Sequence, residues 1–172
     1  MHSKSSKSRR AIAMGAAAVL ILAAAAKAQE APPPPPAAGS GPSPSKQAVE
    51  SRKAAYTLIA NSFRWFGAVA KGAVPYDEAE ATKRAARIAF LAPVPAEFFP
   101  EGSNVGEPES KAKPDVWSNR SDFDKKLKDF ASHATALAEV NAKEKGATDA
   151  FKAAVASLAQ DCKGCHDTYK AK

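Results

Sequence analysis

The sequence predicts an all-α domain: an antiparallel four-helix bundle with a long connection between helices 2 and 3. Three observations lead there. No stretch after residue 45 alternates apolar and polar residues as a half-buried strand would. Apolar residues recur instead at steps of three, four and seven, and two late segments keep a 4-3-4-3-4 seam. Gly72, Pro75, Pro93, Pro95 and Gly146 separate the periodic segments. A three-helix domain with a loose first segment is the rival arrangement.

The chain opens with a basic stretch containing Lys4, Lys7, Arg9 and Arg10, followed by an uncharged apolar run over residues 11–26. Ala26-Lys27-Ala28 then matches an A-x-A cleavage site, so residues 1–28 are expected to be a signal peptide. The run is shorter than the roughly 20 apolar residues of a membrane helix, and no span is expected after cleavage. Residues 29–45, "QEAPPPPPAAGSGPSPS", hold no large apolar side chain and read as a proline-rich linker. Residues 46–172 make up one domain's length of chain.

The formal net charge of +7 looks basic, yet residues 1–28 carry five of the 25 Lys and Arg and none of the 18 Asp and Glu. The mature chain therefore has 20 basic against 18 acidic residues, a net of +2. That removes the main support for nucleic-acid binding, which needs a basic footprint.

Within the domain, Val49, Tyr56, Ile59, Phe63, Phe66 and Ala70 form the stripe of a first helix that Gly72 and Pro75 end. Tyr76-Asp77 opens a second, with Ala79, Thr82, Ala86 and Ala89-Phe90 as a small-residue face; Pro93 and Pro95 stop it. Residues 92–114 make a long Pro/Gly-rich connection, pinned to the core by Phe98 and Phe99; connections of this length are often functional. The third helix begins near Pro114-Asp115, with Phe123, Leu127, Phe130, Ala134, Leu137 and Asn141 on its seam. Gly146 breaks the chain. The fourth helix carries Phe151, Val155, Leu158, Cys162, Cys165 and Tyr169.

Cys162 and Cys165 are the only cysteines, and His166 comes directly after the second. Their i, i+3 spacing puts both thiols on the apolar face of the last helix. A disulfide across three residues closes a tiny loop and stabilises little. A thioredoxin-like pair needs a βαβ setting, which is absent. Zinc needs four ligands, with only His133 left to complete the set. Covalent haem accounts for all three residues: each thiol takes one vinyl group, and the adjacent imidazole reaches the iron. One haem c is therefore expected, in an exported protein.

The motif lies seven residues from the C-terminus, on the last helix of a bundle, whereas small globular cytochromes c carry it near the N-terminus. With "SRKAAYTLIANSF" on the first helix, "KGAVPYD" at the first turn, "PDVWSNRSDF" opening the third and "CKGCHDTYKAK" at the end, the domain resembles cytochrome c′. The resemblance spans essentially all of 46–172 and implies a periplasmic haem protein that binds nitric oxide and carbon monoxide. It also implies a homodimer formed through the first two helices, for which Trp65 and the small face of the second are candidates. A periplasmic redox partner is a further implication.

The only methionines, Met1 and Met14, fall in the expected signal, so a His/Met haem cannot be built from the mature chain. The resemblance places Tyr56 over the open side of the iron, as a steric cap and a candidate hydrogen-bond donor to a bound gas. It matches Arg52 to an arginine that contacts a haem propionate, with Lys53 beside it. Lys170 stands where relatives commonly carry arginine, but lacks the planar fork. A five-coordinate, redox-active iron is expected, without enzymatic chemistry. The alternative is a low-spin electron carrier with a sixth ligand other than methionine, from His133 or a lysine.

Overall fold

A computed structural model describes residues 41–172; the expected signal peptide and most of the linker lie outside them. The first helix, α1 (Pro44–Ala70), starts two residues before the expected domain boundary. The Ser43 hydroxyl accepts from the Lys46 amide at 3.0 Å, and Pro44 sits in the first turn, where its missing N–H is no loss. At the far end Ala73 N–H donates to the Ala68 carbonyl and Gly72 N–H to that of Val69, both at 2.9 Å. Gly72, at φ 71°, takes the left-handed position such a cap requires.

Asp77 caps α2 (Glu78–Leu91), its carboxylate accepting from the Glu80 amide at 2.7 Å. The buried stripe is Ala81, Ala85, Ile88 and Ala92. The small-residue face of Ala79, Thr82, Ala86, Ala89 and Phe90 turns largely outward, and Phe90 is 76 % exposed. Alanines occupy both sides of this helix, so small-residue spacing cannot choose a face; Ile88 makes the choice.

The connection contains a 3-10 helix, Val94–Phe98, that periodicity did not foresee. Phe99 anchors it as expected, packing edge-on against Phe123 with centroids 4.8 Å apart. The predicted third helix is two pieces, α3 (Asp115–Ser118) and α4 (Arg120–Glu144), separated at Asn119 with φ −122° and ψ 51°. Both sides of the break are tied to the connection. Trp117 Nε1 donates to the Pro100 carbonyl at 2.9 Å, and an Arg120 guanidinium N–H to that of Phe99 at 3.0 Å. All six predicted seam residues of α4 are buried. The helix ends at Lys145, a non-glycine residue at φ 50°. Thr148 then caps α5 (Asp149–Tyr169), accepting from the Phe151 amide.

Helices α1 and α4 each pack against both α2 and α5, which closes the four-helix ring. The apolar interior divides into two clusters. One runs from Phe66, Ile88 and Phe151 to Ile59 and Phe130; the other joins Phe99, Val116, Phe123, Leu127 and Tyr169. Trp65 packs at the α1–α2 turn, edge-on to Phe66 and near Tyr76, with Arg84 over its ring.

Candidate haem site

A cavity of about 570 Å³ is lined by residues of both clusters, a volume in the range of cofactor sites. Tyr56 packs against both clusters, Cys162 against the first and Cys165 against the second. The seam of α5 thus delivers the two thiols to one wall, and His166 lines the same space. Phe63, Phe123, Leu127 and Phe130 make much of the rest apolar.

Both cysteines are free and half-buried. Burial, with help from Asp161 and the neighbouring Cys165, pushes the Cys162 thiol up to about 11. Burial also raises Cys165; Lys126 opposes the rise, and Asp122 and Asp161 add to it. Thiols held protonated are poor exchange nucleophiles, which disfavours a redox dithiol. Among the described residues no three His, Cys, Asp or Glu side chains gather as a metal site. Two protonated thiols on the wall of a large apolar cavity do fit a porphyrin held by thioether bonds. Burial lowers the His166 imidazole pKa, with Lys170 acting in the same direction against Asp167. That favours the neutral ring, the form that ligates a metal.

Tyr56 faces this cavity from α1. Burial raises its phenol well above the ordinary value, the two cysteines add to the rise, and Arg52 partly offsets it. Lys53 lines the cavity but pairs with Glu109 at 2.5 Å, both side chains exposed. Arg52, 4 % exposed, directs four N–H groups to the connection. One terminal nitrogen donates to the Phe98 carbonyl at 2.9 Å and the Ser103 hydroxyl at 2.8 Å. The other donates to the Ser103 carbonyl at 3.1 Å and the Ser110 hydroxyl at 2.8 Å. Phe99 lies under the guanidinium at 4.7 Å.

His133 does not line the cavity; its Nδ1 pairs with Asp161 Oδ2 at 2.7 Å on the outer side of α4. Lys170 lines the cavity and sits in a short antiparallel bridge with Ala112, flanked by two main-chain bonds. Lys113 N–H donates to the Tyr169 carbonyl, and Ala171 N–H to that of Lys111. Tyr169, 2 % exposed, donates its hydroxyl to Asp122 Oδ2 at 2.5 Å. Sequence reasoning missed Ser103, Ser110 and Asp122. The two serines sit in an aperiodic loop, and Asp122 looks like one more surface acid of α4.

The family model for cytochrome c′ matches residues 47–170. The cytochrome c′ of Rubrivivax gelatinosus is 37 % identical over 126 residues, 73 % of this chain and 95 % of that protein. The solved cytochrome c prime of Shewanella frigidimarina superposes with a TM-score of 0.69 at 38 % identity, covering 77 % of this chain and 99 % of that one. A variant of the Alcaligenes xylosoxidans protein, solved in the ferrous state with bound NO, gives a TM-score of 0.66 at 30 % identity, over 74 % and 96 % of the two chains. The chain belongs to the cytochrome c′ family, four-helix bundles that carry c-type haem covalently.

Proposed function

We propose that this chain is a periplasmic haem protein whose five-coordinate iron binds nitric oxide and carbon monoxide. Cys162 and Cys165 would hold the porphyrin through thioethers, and His166 would supply a nitrogen ligand to its iron. When bound, the haem supplies an iron that takes a diatomic ligand and exchanges one electron between ferric and ferrous states. The chain favours a neutral His166, lines the site with apolar side chains and puts Tyr56 on its wall, where it would cap the iron.

The placement of Tyr56 carries this reading. It fills the cavity wall of a chain whose methionines both fall in the expected signal peptide. Burial favours its protonated phenol, which suits a hydrogen-bond donor and steric cap. Neutral diatomics pass apolar walls that disfavour charged ligands. The NO-bound Alcaligenes xylosoxidans structure supports the choice of gas. The expected signal peptide supports export, and a binding and redox role suits the site better than enzymatic turnover. Exposed Leu58 on α1 and Phe90 on α2 suit a homodimer contact.

Resonance Raman spin-state bands of the ferrous holoprotein test the coordination. Five-coordinate, high-spin bands are expected. Six-coordinate, low-spin bands would overturn the reading and favour an electron carrier in which a cavity lysine such as Lys126 ligates the iron.

A further inference from the structure

Residues 98–113 form a strap with two attachments. Arg52 and Lys53 of α1 hold one stretch of it, through Phe98, Ser103, Ser110 and Glu109. The last turn of α5 holds the other. Lys113 N–H reaches the Tyr169 carbonyl at 2.9 Å, Ala171 N–H the Lys111 carbonyl at 2.8 Å, and Lys113 Nζ the Thr168 carbonyl at 2.5 Å. Within the strap, Glu109, Lys111 and Ala112 also form part of the cavity wall. The strap therefore links the helix carrying Tyr56 to the helix end carrying His166.

Arg52 dominates the first attachment. A guanidinium has five N–H donors in a fixed fork, and four are spent on the strap, which leaves only the Nε–H for any other acceptor. The side chain is almost wholly buried and stacked on Phe99, and the hydroxyls of Ser103 and Ser110 complete its shell. A buried cation so fully partnered is costly to redirect, because each abandoned acceptor would stay unsatisfied.

We propose that Arg52 is a positioning residue that fastens the strap, and through it sets the pose of the last turn of α5 with His166, rather than chiefly binding a haem propionate. The His166 part rests on the ligand assignment above; the fastening of the strap does not.

Two variants of the holoprotein test this, Ser103→Ala/Ser110→Ala and Arg52→Gln, each followed by hydrogen exchange and by the ferrous iron–histidine Raman stretch. The serine pair removes two hydroxyl acceptors and leaves Arg52 in place. Exchange at residues 100–113 and 168–171 should quicken roughly a hundredfold, the effect of losing two buried hydrogen bonds to a charged group at the low end of their range, and the stretch should shift. If Arg52 chiefly serves a propionate, the serine pair changes neither readout while Arg52→Gln shifts the haem potential, and the proposal falls. Faster exchange at 100–113 with unchanged exchange at 168–171 and an unmoved stretch refutes the link to His166. If the stretch is missing from every form, the ligand assignment is at fault, and the exchange data alone decide the strap.

Discussion

Replacing Tyr169 by phenylalanine removes one hydroxyl and leaves a ring that still packs edge-on to Phe123, 5.1 Å between centroids. The lost bond is short, 2.5 Å, and ends on a carboxylate. Hydrogen bonds to charged groups contribute about 1.5–3 kcal/mol. Asp122 is 42 % exposed, with Lys126 4.0 Å away, so water can resolvate the abandoned acceptor. The cost should therefore lie at the low end, about 1.5 kcal/mol, or roughly 5 °C in Tm for a domain of this size. The pH dependence sharpens the expectation. Burial first, then the bond to Asp122, pushes the Tyr169 phenol up to about 12, against about 10 in an unfolded chain. The folded state prefers the neutral phenol, so its advantage over phenylalanine is constant below pH 10 and shrinks as pH rises from 10 toward 12. Urea denaturation of both holoproteins from about pH 7 to 11 measures the gap. A gap under about 0.5 kcal/mol at neutral pH, or one that widens above about pH 10, would refute the reasoning.

Lys145→Gly should stabilise the domain by about 0.5–1 kcal/mol, because Lys145 holds a left-handed backbone and its bridge to Glu78 is exposed on both sides; thermal unfolding checks it. His133→Ala should leave the ferrous absorption spectrum unchanged, since His133 is engaged with Asp161 and does not line the cavity. Phe90→Asp should leave the haem spectrum intact and shift sedimentation toward a monomer, as the 76 % exposed ring adjoins no core.

The sequence made legible whatever depends on strong periodicity or on a few reactive side chains. The seam of α4 matches its buried residues, that of α5 does so except at the half-buried cysteines, and its spacing alone carries Cys162 and Cys165 to the cavity. On α2 the signal was degenerate, because alanine at 79, 81, 85, 86 and 89 marks no face. The break at Asn119 was invisible for a different reason: it depends on Trp117 and Arg120 reaching carbonyls 17 and 21 residues away. Arg52 illustrates the same limit. Its place on the helix was readable, but its partners lie 46 to 58 residues further along an aperiodic loop. Long-range polar contacts leave no local pattern.

The measurement that bears most directly on the central claim is the absorption spectrum of the ferrous holoprotein before and after nitric oxide. An open iron beneath Tyr56 predicts a broad high-spin spectrum that shifts when the gas is added. A sharp low-spin spectrum that the gas leaves unmoved would contradict it and put a side chain of this protein in the sixth position.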